Sequence, residues 1–246
     1  MKKILASAIV TAAAIALPQA VQAEGLVRIR AGVAPTDYTV TFNGLSYGRG
    51  EAKSNYTAKN VGLTFVSDGG FYLDLIGQTS GDATHDLWKP QPDQEFSRTD
   101  FTLTLGVSIP GQTGTGSVFG GYKSGSSELT APPGFGFTKD TFDTAGFFFG
   151  GGYAWPAIGG QIGINGAIAF MGGTWKDDAG FSNDADFTVG FSFGLSYTYM
   201  FGKNFGLAAD FKSQHYNYAF NQYSTTAAYD VTESINSLGL SALLQF

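Results

Sequence analysis

The sequence predicts an all-β fold, a transmembrane antiparallel up-and-down β-barrel of about ten strands, with eight or twelve as the alternatives. Three observations carry this. Residues 187–201 form one long strand with two unlike faces, short turns alternate with long loops along the chain, and no apolar run past residue 23 is long enough for a membrane helix.

In Phe187 to Phe201 every odd position (Phe187, Val189, Phe191, Phe193, Leu195, Tyr197, Tyr199, Phe201) is apolar or aromatic, while Gly, Ser and Thr fill most even ones. With 43% of the chain hydrophobic, eight matches in a row arise by chance about once in a thousand. Large residues opposite small polar ones suit a barrel wall with lipid outside and a tight polar interior. At about 3.3 Å per residue and a tilt of about 40°, this strand should rise past an apolar band of about 25 Å and project on one side.

The start of the chain, MKKILASAIVTAAAIALPQAVQA, reads as a secretory signal peptide (residues 1–23), leaving 24–246 as one barrel domain. Without Lys2 and Lys3 the charge becomes 12 − 20 = −8. That acidity argues against a nucleic-acid partner. With no cysteine, disulfide and thiolate chemistry are excluded.

A first strand begins near Leu26 with Arg28 and Arg30 inward, Pro35 is expected to bend it, and a first outer loop falls at 44–50. The chain returns through 54–66, turns at Ser67 to Gly70, and runs from Phe71 to about Gln78 with Asp74 inward. A long loop holding Trp88 precedes the strand Thr99 to Ile109, and Pro110 to Gly114 turns it. Gly116 to Ser124 is a strand whose phase its glycines leave open, followed by a loop from Gly125 to Lys139. The sixth strand carries Tyr153 and Trp155 on its apolar face, and the seventh spans Gln161 to Gly172. After the strand at 187–201, Gly202 to Asn204 turns the chain into Phe205 to Phe220, where Asp210 and Lys212 face inward. The tally is four short turns and five longer loops, with both ends on the short-turn side. Tyr153, Trp155, Tyr197, Tyr199 and Phe201 lie beside those turns and read as an aromatic girdle at the membrane interface.

The last strand ends LGLSALLQF, with Leu238, Leu240, Ala242, Leu244 and Phe246 on one face. Here the sequence resembles bacterial outer-membrane β-barrels, most of all the small OmpA/OmpX type. The resemblance implies a Gram-negative cell outer membrane, outer-membrane lipid and lipopolysaccharide as surroundings, and a barrel-assembly machinery that reads Leu244 and Phe246 as a signal.

The inward charges Arg28, Arg30, Asp74, Asp210 and Lys212 form a lumen cluster, with Arg98 and Asp100 nearer the outer rim. Charges in a confined interior must be paired, which makes a salt-bridged plug the first reading and a mixed-charge constriction of a narrow porin-like pore the second. The inward glycines, serines and threonines are expected to leave room for water. Tyr38, Tyr47, Trp88, Phe135, Phe137, Trp175, Phe181 and Tyr223 read as loop aromatics that could mark a contact surface.

Ten strands with rim Asp and His are also similar to the omptin surface proteases. The histidines, His85 and His215, read instead as solvated groups, since no aspartate adjoins His215. No ligand spacing suggests a metal, and the glycine cluster at 150–152 lies in a strand, so no cofactor is expected. The reading is a non-enzymatic barrel with a structural or surface-contact role, with the pore and a rim hydrolase as alternatives.

Overall fold

A computed structural model describes residues 25–45, 48–89, 91–221 and 228–246. The signal-peptide segment, Tyr47 and Tyr223 lie outside these. Twelve strands follow in order: β1 (Leu26–Leu45), β2 (Gly48–Val66), β3 (Phe71–Ser80), β4 (Ala83–His85), β5 (Gln94–Pro110), β6 (Thr115–Thr130), β7 (Lys139–Ala157), β8 (Gly160–Asp177), β9 (Ser182–Asp184), β10 (Thr188–Met200), β11 (Phe205–Phe220) and β12 (Tyr229–Gln245). Each long strand pairs antiparallel with its successor, β12 pairs with β1 from Arg28↔Gln245 to Asn43↔Asp230, and β8 pairs with β10. The result is a closed barrel of ten strands, with β4 and β9 as short additions.

Alternation builds the wall, and the meaning of its two faces reverses halfway up. On β11 the outward residues near the turn are Phe205, Leu207 and Phe211, and those beyond are Ser213, His215 and Asn217. On the inward face, Asp210 and Lys212 give way to Tyr216, Tyr218 and Phe220, all buried. On β12, Leu238, Leu240 and Leu244 are exposed, while Tyr229, Val231 and Ile235 above them face inward and are buried. The lower half is therefore built for lipid, the upper half for water around an apolar core. Twenty residues of β1 at about 3.3 Å each, tilted about 40°, rise roughly 50 Å, about twice the apolar band.

Two expectations about projection change. The strand read as 187–201 is Thr188–Met200, and it stops at the top of the apolar belt. Above it β9 takes over the wall, pairing Trp175↔Asn183 on β8 and reaching β11 through the Ala185↔Phe220 bridge. Above the short β3, β4 likewise pairs with β5 at Ala83↔Phe96. The other strands project. β6 continues to Thr130 and β8 to Asp177, so the outer ends of these strands replace residues expected in loops. Beyond the membrane both faces change character, which masks the strand in a search for apolar alternation.

Pro35 sits where expected for a missing donor but does not shift the register. The pairing with β2 runs unbroken through Pro35↔Thr57, while that with β12 skips from Val33↔Leu240 to Thr36↔Ser237. The first outer loop is also shorter than expected, since β1 ends at Leu45 and β2 begins at Gly48. The turn between β7 and β8 needs only Ile158 and Gly159, both at positive φ (52° and 73°), the geometry of a type I′ hairpin.

Candidate functional site

In the lumen, charged, aromatic and small residues converge, and they are organised in tiers. The uppermost is an apolar plug. Tyr38, Phe42, Tyr56, Phe96, Phe142, Trp175, Tyr218 and Phe220 belong to one buried cluster drawn from six strands. Phe142 sits 5.3 Å from Trp175 and 5.1 Å from Tyr218 between ring centroids, and Trp175 also meets Phe42 edge-on at 5.0 Å. Tyr38 and Trp175, read from sequence as loop aromatics, are thus core residues at 1% and 6% exposure.

Beneath the plug Arg98 forms a hub. Its guanidinium donates to both oxygens of Asp100, at 2.9 and 2.8 Å, and to Glu233 Oε1 and Ser127 Oγ at 2.6 Å each. Tyr38 OH donates to the same Glu233 oxygen at 3.1 Å, and its ring face lies 5.0 Å from the guanidinium carbon. This bidentate, desolvated arrangement needs space that β6 supplies at Gly125. A Cβ there would meet Arg98 Nη2 and Asp100 Oδ1 at 2.7 Å. Lys123 Nζ approaches Asp100 Oδ1 at 3.8 Å and Tyr216 OH at 3.4 Å. Neither Lys123 nor Glu233 was expected inward, because the phase of β6 was open and Glu233 interrupts the apolar face of β12.

Arg28, Arg30, Asp74, Asp210 and Lys212, expected as one lumen cluster, face inward but are divided between tiers. Arg28 (7% exposed), Arg30 and Asp74 sit in the lower third. Arg28 donates to Gln245 Oε1 at 2.7 Å, and Asp74 accepts from Thr64 at 2.5 Å. Asp210 lies over Gly239, and Lys212 lines a cavity next to Lys123. The glycines expected to leave room for water instead receive rings from neighbouring strands. Tyr72 lies over Gly106, Phe148 over Gly121 and Tyr216 over Gly190.

The girdle residues lie together at the short-turn end. Register places Trp155, Ile162 and Tyr197 side by side, Tyr197 OH donates to the Ile158 carbonyl at 2.9 Å, and Tyr199 meets Phe201 at 4.9 Å. Leu244 and Phe246 face outward at the seam, where Phe246 N donates to the Val27 carbonyl at 2.9 Å.

Of the two histidines expected to be solvated, His215 is exposed on the outer wall and His85 is buried. His85 is 2% exposed, its Nδ1 accepts from the Leu87 amide at 3.3 Å, and its Nε2 lies 3.0 Å from the Thr130 carbonyl. Burial pushes this imidazole below its usual range, which fits a neutral ring with its proton on Nε2. His215 points out of the barrel wall and packs against Phe191 at 5.5 Å. At the rim, Trp88 meets Phe135 and Phe137 at 4.7 and 6.0 Å, and Phe135 is 44% exposed. Among the described residues no group of three or more His, Cys, Asp or Glu could hold a metal ion.

No protein-family model matches the chain, and no characterised protein sequence matches it significantly. Solved structures do. The outer membrane protease OmpT from Escherichia coli superposes with a TM-score of 0.60 at 9% identity, covering 90% of this chain and 96% of that one. The translocator domain of the autotransporter NalP from Neisseria meningitidis follows with a TM-score of 0.51 at 11% identity, covering 92% and 90%. Together with the lipid-facing belt, these likenesses identify the fold as an outer-membrane β-barrel of the small kind.

Proposed function

We propose that this chain is a closed, non-enzymatic outer-membrane barrel that acts through its extracellular rim in structural support or surface contact. The observation that carries this reading is the plug. Side chains of the wall itself fill the outer half of the lumen, so opening a path would require unpacking strands rather than moving a loop. Below it, the Arg98 hub ties β5 to β12 across the interior at 2.6 Å. Such packing resembles a protein core, with few voids larger than water.

The likeness to a protease concerns the fold alone. Both nitrogens of His85 are engaged by backbone groups, and His215 faces outward, which leaves neither placed as a base. The aromatic pad in which exposed Phe135 stands on half-buried Trp88 and Phe137 is the part of the rim best suited to contact.

Conductance across planar bilayers tests the closed barrel. The refolded protein is expected to stay silent. Steady openings altered by Arg30→Ala or Asp210→Ala would replace this reading with a narrow pore.

A further inference from the structure

On the outside of the wall, where β5, β6 and β7 leave the apolar belt, lies an open groove of about 560 Å³. That volume falls within the roughly 300–1,000 Å³ of small-molecule sites. Strand register sets out its floor and sides. Phe101 and Ser124 lie side by side in its lowest row, Thr99, Ser126 and Asp143 form the next, and Glu128 stands above them. Immediately below Ser124, register places Leu103, Tyr122 and Phe147 in one row of the lipid belt, where Phe147 is 63% exposed and meets Tyr122 edge-on at 5.6 Å. The groove therefore sits at the height where membrane lipid changes from chain to headgroup.

Its chemistry is rich in hydroxyls and uncharged in sum. Thr99, Ser124 and Ser126 line it, and Ser126 donates to Asp143 at 2.6 Å. Both carboxylates are matched by cations of the same wall, Lys176 pairing with Asp143 and Lys139 with Glu128 at 2.6 Å. A phosphate headgroup is held by surplus cations, whereas these four charges cancel in pairs. A sugar needs donors and acceptors at close spacing together with an apolar surface for its C–H groups. Hydroxyls and paired charges supply the first, and Phe101 supplies the second.

We infer that this groove binds the saccharide headgroup of one outer-leaflet glycolipid, with its acyl chains laid over Tyr122 and Phe147. A sugar free in the medium reaches the hydroxyls alone, while one carried by a lipid gains the aromatic row as well. Because the site lies on the outer face, it is independent of whether the lumen conducts.

Native mass spectrometry of the refolded full chain, released from an amine-oxide detergent after mixing with lipid A or with phosphatidylglycerol, tests this. Lipid A, an acylated and phosphorylated disaccharide, is expected to be retained as one copy at several-fold higher occupancy than phosphatidylglycerol. Lipid A stripped of its phosphates is expected to be retained equally. Ser124→Phe fills the floor of the groove and should lower retention to the phosphatidylglycerol level, and Ser126→Val serves if that variant does not fold. Ser234→Phe, beside His215 on the outer face of β12, should leave retention unchanged. Equal retention of the two lipids, loss of retention with the phosphates, displacement by an equal concentration of the disaccharide without acyl chains, or full retention by a folded Ser124→Phe would overturn the assignment.

Discussion

Arg98 and Glu233, 135 residues apart in sequence, meet across the lumen at 2.6 Å with both side chains 1% exposed. Arg98 serves two carboxylates, whereas Glu233 is one of two acidic partners and keeps Tyr38 and Tyr218 as donors. The two ends of this pair are therefore unequal. Arg98→Met strands two buried carboxylates and is expected to cost about 3–5 kcal/mol. Glu233→Gln removes one charge-assisted bond and should cost about 1.5–3 kcal/mol. Urea unfolding of the refolded barrel measures both, and a larger loss for Glu233→Gln would contradict the hub.

The reversal of the barrel faces gives a second comparison, between Phe142 and Phe147 of β7. Phe142 is 0% exposed inside the plug, while Phe147 is 63% exposed on the lipid belt. Truncating Phe142 leaves a cavity among Trp175, Tyr218 and Phe220, so Phe142→Ala should cost about 3–5 kcal/mol. Truncating Phe147 forfeits transfer into lipid but opens no cavity, at about 1.5–3 kcal/mol. Equal losses in the same detergent would mean that the upper interior is not packed as described.

How much of this could be read in advance follows from where each residue meets its solvent. Apolar alternation exposed the lipid belt because most belt strands repeat it, and the parity of Arg28, Asp74 and Asp210 came with it. The upper half defeated the same search. There Tyr38, Phe142 and Trp175 occupy the face that is polar lower down, so the pattern looked like loop sequence. The hub escaped for a different reason. Arg98 and Asp100 showed their parity, but Glu233 and Lys123 reach them only through neighbours distant in sequence. Glycine misled most, since the space above Gly106 or Gly190 belongs to a tyrosine on the next strand.

The β7–β8 turn stores local strain at Ile158, a β-branched residue at φ 52° with 87% of its surface exposed. Position one of a type I′ turn favours Asn, Asp or Gly. The Tyr197 bond goes to the backbone carbonyl, so it survives substitution. Ile158→Asn should therefore raise stability by about 1 kcal/mol, seen as a higher urea midpoint. Ile158→Val keeps the branched Cβ and should gain nothing. A gain from valine equal to that from asparagine would remove strain as the cause.

The extracellular end carries a pH dependence of its own. Asp140 faces inward at the rim, opposite Asp177 across β7 and β8, and burial together with that neighbour pushes its carboxyl up to about 7. The folded state thus holds a proton that the unfolded chain releases near its ordinary value of 3.8. Between those limits the folded form binds more protons, so this group lowers stability as pH rises from about 4 to about 7, by up to about 1.4 kcal/mol per unit. Above that window the penalty is complete and constant. Asp140→Asn removes the titration, and its urea midpoint should lose the decline that the unaltered barrel shows between pH 5 and 7. A decline that persists unchanged in Asp140→Asn would place its source elsewhere.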